Sequence, residues 1–186
     1  MTSIASLWLP IVLSAVFVFL ASSIIHVALP WHNSDFRSVP NEDQVVAALR
    51  PLAIPPGDYA LPKPTSMKEL RTPAYLDRLT RGPVLTMTVM PNGMMKMGGM
   101  LFQWFLYLLV VAALAGIVAG TTLPRGADFH VVVHTVAITA FLGYTMALWQ
   151  MSIWYRRSLS TTLKSTVDGL IYAAITAATF AWLWPR

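Results

Sequence analysis

The chain has 186 residues, 56% of them hydrophobic and only 11% charged, with a formal net charge of +5. A soluble globular domain carries about 25% charged residues. This composition, with a mean hydropathy of +0.60, excludes an ordinary water-soluble domain and ties the basic balance to membrane topology rather than to nucleic acid. The lack of cysteine excludes disulfides, thiolate metal sites, iron–sulfur clusters and thiol redox chemistry.

The first apolar run is Leu7–Leu29. A bilayer core is ~30 Å thick and needs about 20 apolar residues per spanning helix. No Lys or Arg precedes Arg37, so the run lacks the positive flank of a secretory signal and reads as a span. His26 lies near its end. Pro30, four residues on, cannot donate to the His26 carbonyl and reads as the helix stop. His32 and Asp35 follow in the headgroup zone, where polar neighbours are ordinary.

Residues 30–100 form the one sizeable polar segment, with ten of the thirteen prolines. Long regular structure is excluded there, but short elements are signalled. Asn41 with Gln44 is a capping pattern for a helix over Glu42–Arg50, and Ser66 with Glu69 opens a turn. Thr72-Pro73 starts a helix through Thr80, with Gly82 as its stop. Val84–Met90 reads as a strand and Pro91-Asn92-Gly93 as a turn. Six of the ten methionines fall between Met87 and Met100. Thioethers bind Cu(I), but without Cys or His beside them they read as adaptable apolar contact surface.

Three further apolar runs follow: Leu101–Thr122, Phe129–Trp154 and Leu163–Trp184. No lipid-exposed backbone can leave its polar groups unpaired, so all four runs predict helices. Small residues allow helices to approach closely in lipid. Gly169, Ala173 and Ala177 recur at four-residue spacing in the fourth run, and Gly116 and Gly120 do so in the second. The expectation is an all-α membrane protein: one membrane domain over 1–186, an antiparallel bundle of four transmembrane helices with a Pro-rich extramembrane cap at 30–100.

Charge sets the orientation. Eleven of the thirteen basic residues fall on one side of this topology: eight in 30–100, plus Arg156, Arg157 and Lys164. The positive-inside rule places that side in the cytoplasm and both termini outside, periplasmic in a bacterial inner membrane.

Few residues in these runs carry chemistry. His130 and His134 share a helix face and, with His26, are the candidate ligands for a haem, a chlorophyll-type pigment or a metal. At 1.5 Å per residue, His26 and His134 differ in depth by roughly 21 Å, so one ion cannot join them. A single axial histidine suffices for a haem. Asp168 lies one turn inside the fourth run. Ionisable residues at such depth are functional candidates, and Arg156, Arg157 and Lys164 at the same end are its expected partners. No phosphate-binding loop, zinc-protease motif or nucleophile elbow is present.

The stretches WHNSDFRSVPNEDQVVAALR, IPPGDY, TVMPNG, STTLKSTVDGLIYA and FAWLWPR resemble a group of small uncharacterised bacterial four-helix membrane proteins. The resemblance covers nearly the whole chain, implies the same architecture, and brings no activity and no functional residue. The expected role is a non-catalytic accessory subunit of a respiratory or photosynthetic membrane assembly, in contact with lipids and other subunits and with no resident cofactor. The rival roles are a haem-, pigment- or metal-binding redox protein using histidine, and a small oligomeric transporter working through Asp168.

Overall fold

Three stretches of helix are long and apolar enough to cross a membrane: Ile4–Ala28, Met97–Thr122 and Phe129–Tyr155. The computed structural model describes all residues from Met1 to Arg186 and is mostly helical. The first stretch contains α1 (Trp8–Ser23), the second is α4 (Met97–Thr122), and the third joins α5 (Phe129–Thr145) to α6 (Trp149–Tyr155) through a single tight turn. A fourth long helix, α7, runs from Leu159 to Trp182.

The expected fourth apolar run is where the structure departs from the hydropathy reading. α7 begins four residues before Leu163 and is less apolar than the other three. The cause is its content of Ser and Thr, with Lys164 and Asp168. Most of these hydroxyls bond back within the helix: Ser165 to the Thr161 carbonyl at 3.0 Å, Thr166 to Thr162 at 2.8 Å, Thr176 to Tyr172 at 2.8 Å and Thr179 to Ile175 at 2.7 Å. Such back-bonding hides the polar group from the helix surroundings.

The chain divides into two compact units, one of Met1–Phe36 with Lys96–Arg186 and the other of Arg37–Met95. Residues 30–36 and 96–100 group with the long helices rather than with the rest of the polar segment. Within the helical unit, α7 packs against α5 and α1, and α4 packs against α5 and α1; the α5–α7 contact is the most extensive.

Small residues stand at these contacts. A Cβ on Gly169 would lie 2.0 Å from Thr145 Oγ1 and 3.5 Å from Tyr144 Cβ. One on Gly120 would meet the Thr2 carbonyl oxygen at 2.8 Å, and one on Gly116 would meet the Phe180 ring at 3.3 Å. Ala173 and Ala177 are buried. Two clusters fill the interior. Leu7, Ala112, Ala115, Ala119, Val132, Val136, Ala177 and Phe180 form one. Ala15, Val18, Leu108, Val111, Ala140, Tyr144, Tyr172 and Ala173 form the other.

The unit Arg37–Met95 holds α2 (Glu42–Leu49), α3 (Pro73–Arg81) and an antiparallel pair, β1 (Gly57–Leu61) and β2 (Leu85–Val89), in the register Tyr59 opposite Met87. Thr72 caps α3 by accepting from the Tyr75 amide at 3.3 Å, and Gly82 ends it at φ 63°. Asn41 does not cap α2 with its side chain; it takes a left-handed conformation at φ 54°. β1 had no periodic signal of its own. Its edge hydrogen bonds exist because β2 supplies the partner.

Candidate functional site

The site begins with a break in helical regularity. Because Pro30 cannot donate to the His26 carbonyl, the helix after Ser23 widens into a π-turn over Ile24–Ala28, closed by the Leu29 amide on the Ile24 carbonyl at 3.2 Å. Single π-turns of this kind recur at functional sites. Leu29 is extended, and Pro30–His32 form one tight turn. The chain thereby folds back, and the His32 ring stacks on that of His26 with centroids 4.2 Å apart and 26° between planes.

His32 then reaches two carboxylates. Its Nδ1 lies 2.6 Å from Asp35 Oδ2 and its Nε2 lies 2.8 Å from Asp168 Oδ2 on α7. Lys164, one turn before Asp168, donates to Asp35 Oδ1 at 3.0 Å and to Ser34 Oγ at 2.8 Å, and its ammonium sits 5.8 Å from the centre of the Trp31 ring. Asp168, His32, Asp35 and Lys164 form a circuit that starts and ends on α7. Both imidazole nitrogens thus face carboxylate oxygens, and each can donate when the ring is protonated. With His32 as imidazolium and both acids ionised, the four charges sum to zero. The circuit is largely out of solvent: the Asp168 side chain is 6% exposed, Asp35 9% and Lys164 17%. Burial alone would raise the Asp35 pKa, but the hydrogen bonds from His32 and Lys164 outweigh it and hold the carboxyl below its ordinary range.

Beside the circuit lies a cleft of about 320 Å³ lined by His26, Trp104, Tyr107, Tyr144, Asp168 and Tyr172, among others. Its walls are aromatic and ordered. Trp104 stacks on Tyr107 with centroids 5.4 Å apart, and Tyr144 meets Tyr172 edge-on at 5.7 Å. Trp104 donates to Ser22 Oγ at 3.0 Å, and the Tyr107 hydroxyl donates to the Gly143 carbonyl at 2.7 Å. The Tyr172 hydroxyl stands 3.4 Å from His26 Nε2. The buried Tyr144 hydroxyl has no hydrogen-bond partner. Thr176 comes near it without a hydrogen bond of normal geometry, and its own proton goes to the Tyr172 carbonyl. A buried hydroxyl without a partner is costly, and here it borders a cleft.

The expected partners of Asp168 require correction. Neither Arg156 nor Arg157 forms an ion pair, and Lys164 binds Asp35 rather than Asp168. Arg156 ends α6 in a left-handed conformation at φ 56° and is exposed, so the two arginines leave the helix before α7 begins. The partner of Asp168 is His32, which reaches it only because the chain reverses at Leu29–Pro30. Of the three candidate histidines, His26 is at the site. His130 and His134 are exposed, in the first turns of α5, and join no group of potential ligands. The His130 amide is spent on the helix cap Asp128 Oδ1 at 2.9 Å. The residues that sequence reasoning undervalued are His32 and Asp35. Their spacing of three, just past a proline, was the available signal.

No family model, no curated protein and no solved structure matches this chain.

Proposed function

We propose that the chain is an integral membrane protein whose α7 also crosses the bilayer, and that it serves as a non-catalytic accessory subunit of a larger membrane assembly. The observation that carries this reading is a contrast within the helical unit. Its inner ionisable side chains are paired with one another in a closed circuit, while its outward helix faces are apolar. Leu20, Ile24 and Val27, Val110, Leu114 and Ile117, and Ile138 and Leu142 are all exposed. Faces of this kind suit lipid or a neighbouring membrane subunit. The paired circuit and the back-bonded hydroxyls make α7 compatible with a span despite its lower apolarity. The excess of Lys and Arg in residues 30–100 supports an inner-membrane orientation with that segment in the cytoplasm and both termini outside.

Reciprocal purification in mild detergent tests the role. The chain is expected to migrate with a fixed set of membrane subunits, and a tag on one of those subunits is expected to recover this chain in constant ratio. A chain that purifies only with copies of itself, and moves protons or solute in vesicles in a manner lost in Asp168→Asn, would replace this reading with the transporter.

A further inference from the structure

We propose that His26, His32 and Asp168 bind one divalent first-row transition-metal ion, such as zinc(II), with Asp35 orienting His32 and the aromatic cleft leaving an open coordination position. The ligand atoms of the three residues already lie within 4.8 Å of one another. Zinc takes imidazole nitrogen at about 2.0–2.1 Å and carboxylate oxygen at about 2.0–2.2 Å, so donors around one tetrahedral ion stand roughly 3.3 Å apart. His32 Nε2 and Asp168 Oδ2, now 2.8 Å apart, need open only slightly to admit an ion between them. His26, across the stacked ring, must tilt toward them. Its Nε2 has only the long 3.4 Å contact with the Tyr172 hydroxyl to give up.

The surroundings have the form of a metal site's outer layer. A ligating histidine ordinarily gives its other ring N–H to a carboxylate, which fixes the ring and the tautomer. His32 Nδ1 meets Asp35 at 2.6 Å, and Asp35 is in turn fixed by Lys164 and Ser34. That chain of support is more than a simple ion pair between His32 and Asp168 needs. The cleft beside the cluster, lined in part by Tyr144, Tyr172 and Asp168, leaves room for an open coordination position. The donor set selects the class of ion. Two imidazoles and a carboxylate suit zinc, iron(II), nickel or copper(II), whereas magnesium and calcium prefer all-oxygen sites and Cu(I) prefers sulfur. Three protein ligands and an open position are the pattern of an exchangeable or reactive site rather than a closed structural one. The inference stands apart from the accessory-subunit role, which reciprocal purification tests without reference to metal.

The test uses the full chain in detergent, stripped with chelator and titrated with cobalt(II), whose visible bands report coordination, followed by displacement with zinc. One equivalent of cobalt with imidazole-type bands is expected. His26→Gln, His32→Ala and Asp168→Asn should each abolish it, and Asp35→Asn should weaken it about 10–100-fold. His130→Ala and His134→Ala should leave it unchanged. His26→Gln guards against misfolding as an explanation, because His26 is outside the ion-pair circuit and its loss should leave the helical circular dichroism and the elution volume as they were. Absence of stoichiometric binding, or binding that His26→Gln and Asp168→Asn leave intact, would overturn the proposal.

Discussion

The helical unit has two ends built on opposite plans. At the end holding Leu7, Leu123 and Trp184, small and apolar side chains fill the space and each polar group is tied down. The Thr2 amide donates to the Gly120 carbonyl at 2.7 Å, the Gly126 amide to Pro185 at 2.8 Å, and the Trp184 indole to Pro124 at 3.0 Å. At the end holding His26 and Asp168, the same helices enclose ionised groups, a cleft of about 320 Å³ and an unpartnered tyrosine hydroxyl. Helix packing alone accounts for the first end. It does not account for the second, where space and hydrogen-bonding capacity are left unused. One end is closed by packing, whereas the other keeps a polar cleft among the same helices.

Truncating a core side chain at the closed end should produce the largest effect. Phe180 is fully buried against that cluster and rests on Gly116. Phe180→Ala is expected to cost about 3–5 kcal/mol, the range for emptying an aromatic site in a packed core. Tyr172→Phe, at the open end, removes only a 3.4 Å contact and should cost far less. Thermal unfolding of both variants in the same detergent measures the contrast. Equal losses would mean that the two ends are packed alike.

The circuit comes next. Asp168→Asn keeps the shape of the side chain and removes the charge that faces His32. A hydrogen bond to a charged group is worth about 1.5–3 kcal/mol, and loss in the lower half of that range is expected because His32 retains Asp35. The same variant should leave the hydrogen-exchange protection of the Leu123 and Gly126 amides at the closed end unperturbed until global unfolding.

How far these two ends could be read from sequence differs for a physical reason. The closed end is built from contacts between residues that share a period, and the Gly116–Gly120 spacing marked one of its contact faces; the Gly169–Ala173–Ala177 row marked a face of α7 that runs from the polar end to the closed one. The open end depends on a reversal at Leu29–Pro30 and on the pairing of His32 with Asp168, 136 positions apart. No local pattern encodes such a pairing. The sequence therefore offered Asp168 a choice of nearby cations, and the fold supplied a histidine 136 positions away. The same limit hid β1, which is a strand only through β2. The Ser, Thr, Lys164 and Asp168 that lower the hydropathy of α7 are in the sequence, and several of its hydroxyls bond back within the helix, but the partner of its acid comes only from the fold.

A glycine pair sharpens the comparison at a smaller scale. Gly169→Ala places a methyl against Thr145 Oγ1 and close to Tyr144 Cβ on the facing helix. Overpacking of this kind costs about 1–3 kcal/mol, against a gain of about 0.5–1 kcal/mol from replacing a helical glycine. A net loss of stability is expected. Gly116→Ala meets only the Phe180 ring and the end of Ile11 at 3.3–3.4 Å, both of which can shift slightly, so its net change should be near zero. Similar losses for both would place a rigid contact at Gly116 as well.

Acid supplies the smallest effect and the control for the others, because the polar end contains two carboxylates and the closed end has only the helix cap Asp128. The unit Arg37–Met95 has a titration of its own that must be separated from theirs. Glu69 accepts from the Thr65 hydroxyl and amide, each at 2.6 Å, and pairs with Arg78. These contacts, the Thr65 bonds first, hold its pKa below the ordinary 4.5. A depressed carboxyl contributes stability that is complete above its unfolded pKa and is lost as the pH falls through the folded one. Nothing should therefore change between neutral pH and about 5, and the turn from Thr65 to Arg78 should loosen progressively below about 4.5. Hydrogen exchange reports this directly, since the Thr65 amide is itself a donor to Glu69. Its protection should fall in acid, while that of the Leu123 and Gly126 amides at the closed end holds. In Glu69→Gln the Thr65 amide should be less protected at neutral pH and indifferent to acid. A Thr65 amide that still responds to acid in that variant would mean that another carboxylate controls the turn.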